Sequence, residues 1–127
     1  LILESPFTSL ATVAQRQMAL FPVKHLVRDP FRNTDTISRV KMPVVWMHGT
    51  NDQLVPYAMG AQLIAMVAGP KCILRIGGGD HDHLWDMGVR AFTQLQVFAL
   101  VKTGGCDGSP VLLKDGVLLP GHLQRRL

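Results

Sequence analysis

Cysteine is scarce in this chain. Cys72 sits in an apolar run and Cys106 in a glycine-rich one, and two thiols in such dissimilar settings suggest neither a disulfide framework nor a zinc site. A reducing compartment is the default expectation. Aromatic residues amount to only 6%, and the thirteen basic residues are scattered, with Arg125 and Arg126 the one adjacent pair. The dense cationic stripe with interleaved aromatics that grips nucleic acid is therefore missing, and no nucleic-acid partner is expected. No apolar run approaches the roughly 18 residues of a membrane span, and no signal peptide is visible. An initiating methionine is lacking too: the chain opens directly on the apolar run Leu1-Ile2-Leu3, as if cut within a sheet. It reads as a fragment whose remaining part lies upstream, where a signal or span would usually sit, so location stays open.

What is present is a core. With 127 residues and 47% hydrophobic content, the chain suits one globular unit. Its organising stretch is residues 41–56. Pro43 ends what precedes it, and Val44, Val45, Trp46 and Met47 form the unbroken β-branched and apolar run expected of a strand buried on both faces. Gly49 and Thr50-Asn51-Asp52 then break the run, and Pro56 stands near the start of the next helix. Asp52 is left at the carboxyl end of a central parallel strand, the edge where open parallel sheets carry their chemistry.

Around that stretch the pattern alternates. Residues 1–3 read as the end of a strand. Leu10, Val13, Ala14, Met18 and Phe21 follow a helical period over residues 9–21, with Thr8 or Ser9 as cap and Pro22 as stop. Residues 23–32 mix basic with apolar and aromatic side chains near Pro22 and Pro30, and read as a loop that would overhang a site. Asp35 is the expected cap of a short helical turn. A helix is expected over residues 57–68, stopped by Gly69-Pro70, and a strand over residues 72–76. Gly77-Gly78-Gly79 frees the backbone and delivers Asp80-His81-Asp82-His83. A last helix is expected over residues 86–102. The fold class is α/β with a parallel sheet flanked by helices. Beyond Gly104 a turn-rich linker leads to a small hairpin with Asp115-Gly116 as its turn, or to a disordered tail.

Two residues carry the candidate chemistry. Asp52 and His81 each follow their own strand, and adjacent parallel strands would bring the two loops together. A carboxylate in contact with an imidazole fixes its tautomer and steadies the imidazolium, which lets the ring take a nucleophile's proton. Asp52 would otherwise be a turn residue bonding its own backbone. His83 competes with His81, which is favoured as the first histidine past the glycines. A metal site is the rival for the whole Asp80-His81-Asp82-His83 cluster, although Trp85 and Asp86 stand where a binuclear His-x-His-x-Asp-His pattern needs Asp and His. Neither a metal nor another cofactor is expected.

The segment Pro43-Val44-Val45-Trp46-Met47-His48-Gly49-Thr50-Asn51-Asp52-Gln53-Leu54-Val55-Pro56 resembles the stretch bearing the catalytic acid in the α/β-hydrolase superfamily. Gly79-Asp80-His81-Asp82-His83-Leu84-Trp85 resembles its histidine loop, most closely that of the α/β-hydrolase-domain serine hydrolases that include protein depalmitoylases. Leu3-Glu4-Ser5-Pro6-Phe7-Thr8-Ser9 is similar to a strand end in the same proteins. The resemblance implies that residues 1–103 are the C-terminal portion of an α/β-hydrolase domain, followed by an unmatched tail at 104–127. It further implies Asp52 as triad acid, His81 as base, an ester or thioester substrate with an acyl-protein or lipid among the candidates, and a cytoplasmic or membrane-associated protein, with membrane association arising from the N-terminal part. Asp82 and His83 replace the usual Asn and Asp, which leaves the alignment of the two histidines open.

No Gly-x-Ser-x-Gly elbow occurs in the chain, nor a glycine-rich oxyanion loop. Cys106 lies in a Gly-x-Cys-x-Gly string but follows the histidine, whereas the nucleophile comes first in that fold, and Ser5 and Ser9 lack the glycines. The expectation is a hydrolase portion that supplies acid and base and is inactive alone. The alternative is a degenerate hydrolase-fold module that binds without catalysing.

Overall fold

The computed structural model describes residues 1–84 together with the strands at 110–114 and 117–119. The expected helix over 86–102 and the linker after Gly104 lie outside the described residues. Five strands, β1 (Ile2–Glu4), β2 (Val44–Gly49), β3 (Lys71–Ile76), β4 (Pro110–Lys114) and β5 (Val117–Leu119), form one sheet in sequence order. The first four run parallel, and β5 returns antiparallel against β4. The class is α/β. The strands β4 and β5 occupy the tail segment whose pattern suggests hairpin arms, and β4 extends the parallel sheet beside β3.

All six residues of β2 are buried, which is what its two-sided apolar run requires of a central strand. One face carries Val44, Trp46 and His48. Against it packs α3 (Tyr57–Ala65), whose Leu63 and Ile64 join Val44, Trp46, Ile73, Val67 and Ile37 in the core. Burying Trp46 to 1% exposure makes it the largest single contributor to that core. Gly60 faces this layer because a Cβ there would stand 2.6 Å from His48 Nδ1 and 2.8 Å from Trp46 Cζ2.

Some local expectations change. Helix α3 stops at Ala65 rather than at residue 68, and α1 covers only Leu10–Gln17. Ser9 caps α1, its Oγ accepting from the Thr12 N–H at 3.2 Å. The chain then tightens through Phe21 N–H to Met18 O before Pro22. The apolar stripe of α1 is not a core face, since the helix buries no residue and Leu10, Met18 and Phe21 are exposed. Residues 23–32 are irregular apart from one 3₁₀ turn at Val23–His25. Asp35 does not cap α2 (Thr34–Ile37) but sits inside its first turn, with Asn33 at the cap position.

Cys72 is disulfide-bonded, which corrects the expectation that two cysteines in such dissimilar settings form no disulfide. The physical reason is the register: Ile73 pairs with Pro110, so the chain a few residues after Cys106 runs alongside β3. Cys106 itself lies outside the described residues.

Candidate active site

The site begins with the β2–β3 register. Gly49 pairs with Ile76, so the two strands end level and their following loops leave the sheet side by side. Three hydrogen bonds then tie the two strand ends and their loops together. Thr50 N–H donates to Ile76 O at 2.9 Å, Asn51 N–H to Gly79 O at 2.9 Å, and Gly78 N–H to Thr50 Oγ1 at 2.9 Å. Two glycines make the approach feasible. A Cβ on Gly49 would lie 2.2 Å from Gly79 O, and Gly78 adopts φ +74°. The glycine run thus lets the second loop lie directly on the first.

Asp52 and His81 meet in this junction. Asp52 Oδ2 accepts from His81 Nδ1 at 2.9 Å, and its Oδ1 accepts from the backbone N–H groups of Leu54 at 3.0 Å and Val55 at 2.8 Å. One Asp52 oxygen shapes the turn and the other holds the histidine. A carboxylate can only accept, so Nδ1 carries the proton and Nε2 of neutral His81 keeps its lone pair. The Asp52 side chain is fully buried while that of His81 is 32% exposed. This pair can hold an imidazole in one tautomer with its basic nitrogen turned away from the acid.

His83 is elsewhere. Its ring Nδ1 bonds Asp80 at 3.0 Å, its backbone N–H donates to Asp80 Oδ1 at 2.8 Å, and its side chain is 65% exposed. The His83 backbone bond, followed by its ring, holds the Asp80 carboxyl below the usual carboxylate range. Among the described residues no three His, Cys, Asp or Glu side chains converge as a metal would require. Ser5, at the end of β1, has φ +40° and donates its N–H to Met47 O at 2.9 Å. Its buried Oγ has no hydrogen-bond partner among the described residues, so it is not bonded to His81.

Sequence reasoning missed His48. This side chain is fully buried, and its Nε2 lies 2.8 Å from Val55 O and 3.4 Å from Asp52 Oδ2. Trp46 Nε1–H donates to its Nδ1 at 3.3 Å, so the proton must reside on Nε2. Burial pushes the His48 pKa down, against the opposing pull of the Val55 carbonyl and Asp52. A neutral, orientation-locked imidazole therefore props the acid loop from below. Tyr57 closes this pocket, its ring 4.9 Å from Trp46 and 5.5 Å from His48, with the Arg75 guanidinium 5.3 Å above it. Burial raises the Tyr57 pKa and Arg75 opposes it. The signal available in the sequence was a polar residue inside an otherwise apolar strand, two places from a tryptophan and so on the same face.

Known proteins resemble this chain over about two thirds of its length. An uncharacterized protein of Mycobacterium tuberculosis is 34% identical over 82 residues, which cover 65% of this chain and 29% of that protein. Alpha/beta hydrolase domain-containing protein 17B of Homo sapiens is 35% identical over 83 residues, covering 64% of this chain and 27% of that protein, and its Xenopus laevis counterpart matches equally. The chain spans less than a third of the length of these relatives. No family model matches it, and no solved structure does. The similarities support a distant relationship to alpha/beta hydrolase domain proteins.

Proposed function

We propose that this chain supplies the acid and base of a serine hydrolase acting on ester or thioester bonds, with Asp52 as acid and His81 as base. The observation that carries the reading is the 2.9 Å bond between Asp52 Oδ2 and His81 Nδ1 at the carboxyl edge of two neighbouring parallel strands. This reading assigns the nucleophilic serine and the oxyanion donors to residues other than these 127. In the reaction His81 Nε2 takes the serine proton as the serine oxygen attacks the acyl carbon, and then returns it to the leaving alcohol or thiol. Asp52 stays ionised and stabilises the imidazolium. Acyl-protein or lipid substrates follow from the family resemblance, as does membrane association through the N-terminal part of the parent.

The test uses the parent polypeptide extended upstream to include a Gly-x-Ser-x-Gly elbow, assayed on a p-nitrophenyl ester. His81→Ala abolishes turnover and His83→Ala leaves it largely intact, while the chain of residues 1–127 alone is inactive. Retained turnover in His81→Ala with loss in His83→Ala reverses the histidine assignment. An extended polypeptide with no elbow and no turnover supports the non-catalytic binding module instead.

A further inference from the structure

A cleft lies beside α1. It encloses about 860 Å³ between α1 and the segment 24–32, and Arg16, Lys24, His25, Arg28 and Arg32 line it without a single aspartate or glutamate. The ion pairs among the described residues all involve histidine, so these arginines and Lys24 have no carboxylate partner there. The acid of the segment, Asp29, is engaged by the Phe31 N–H at 3.2 Å and does not line the cleft. Like charges gathered in a concavity repel one another, and an anion entering it replaces that repulsion with attraction.

The cleft is also fastened. Gln15 Nε2 donates to Phe21 O at 2.8 Å and its Oε1 accepts from the Lys24 N–H at 3.2 Å, tying the start of the segment to α1. Leu10 N–H donates to Pro30 O at 2.8 Å, tying the far end. The cations therefore sit on backbone held at both ends, which reduces the ordering cost of binding. Hydroxyls of Ser9 and Thr12, 2.8 Å apart, add polar groups to the wall.

We propose that this cleft is a binding site for a phosphate-bearing ligand. Three arginines suit phosphate because the planar guanidinium donates two parallel hydrogen bonds to its oxygens, and Lys24 adds a point charge. The volume is that of a ligand pocket rather than of one bare ion, so the phosphate is part of a larger molecule. Two sources share this chemistry, a soluble phosphorylated metabolite and a phospholipid headgroup. Neither depends on the hydrolase reading, since no residue of the cleft hydrogen-bonds or ion-pairs with Asp52 or His81.

The experiment measures binding of inorganic pyrophosphate by calorimetry, and of phosphatidylglycerol/phosphatidylcholine vesicles by sedimentation, to the full chain at low salt. Saturable pyrophosphate binding without vesicle binding identifies a soluble ligand, and vesicle binding identifies a headgroup. Each lost arginine contact is expected to weaken binding about tenfold, so Arg28→Gln/Arg32→Gln loses it almost entirely, while Arg39→Gln, outside the cleft, and His81→Ala bind as the parent does. Where the double variant fails to give the parent's circular dichroism, Lys24→Gln is measured in its place, with the same direction expected. Equal weakening by Arg39→Gln reduces the effect to diffuse charge and overturns the site. Absence of saturable binding in both arms overturns it as well.

Discussion

Replacing Asp52 separates its two duties. In Asp52→Ala the Val55 N–H, which is buried and bonded at 2.8 Å, loses its acceptor, and a buried donor left unmade costs about 1–3 kcal/mol. The Leu54 N–H belongs to an exposed residue and finds water, so it adds little. Loss of the charge-assisted bond to His81 adds about 1–2 kcal/mol, offset in part because a buried carboxylate no longer has to be desolvated. The expected total is about 2–4 kcal/mol of folding stability. Asp52→Asn keeps an oxygen for Val55 and should cost only about 1 kcal/mol. Its amide NH₂, however, faces His81 Nδ1. His81 must then take the Nε2–H tautomer and cannot accept a proton there, whereas His48 cannot adapt because Trp46 donates to its Nδ1. Activity of the extended polypeptide should fall on the order of 10⁴-fold in Asp52→Asn. Urea denaturation followed by tryptophan fluorescence gives the stabilities, and ester turnover gives the activity. Equal destabilisation by Asn and Ala, or full turnover in Asp52→Asn, would refute the division of labour between the two oxygens.

Other consequences follow from the same geometry. Because folded His48 has a lowered pKa, the unfolded chain binds more protons than the folded one just below 6.5, so stability is complete above that pH and declines as pH falls through the folded value. His48→Phe removes this dependence and leaves Val55 O and Trp46 Nε1 unpartnered, costing about 2–4 kcal/mol at neutral pH; a pH series of denaturation curves on both proteins checks it. Gly49→Ala must push back the Gly79 carbonyl, and is expected to cost about 1–3 kcal/mol and to weaken the Asp52–His81 bond, read by melting and by the His81 ring signals. His83→Ala breaks an exposed pair with Asp80 and should leave the same melt close to that of the parent.

The placement of Asp52 and His81 was legible because each signal is local. A β-branched run ending in polar residues fixes a strand end, and three glycines fix a sharp departure. The register that makes these ends level is not local, yet it follows once the strands are parallel and adjacent. His48 was opaque for the opposite reason: its significance arises from Trp46, Val55 and Gly60 converging on it, and no periodicity announces such a convergence. The segment 23–32 was readable as irregular and basic, but its attachment to α1 depends on Gln15 and on the Leu10–Pro30 bond. Helical periodicity in α1 located the helix but left its surroundings open, since a stripe of apolar residues does not say what covers it. Cys72 was misread because its setting was judged from neighbours in sequence, whereas β3, on which it lies, pairs with a strand from far along the chain.

The Asp52–His81 pair can be read by side-chain nitrogen NMR of the ¹⁵N-histidine-labelled chain. The pairing predicts that neutral His81 carries its proton on Nδ1, with a strongly deshielded N–H resonance that disappears in Asp52→Ala and persists in His83→Ala. A neutral His81 protonated on Nε2, or a ring whose resonances do not respond to Asp52→Ala, would contradict it.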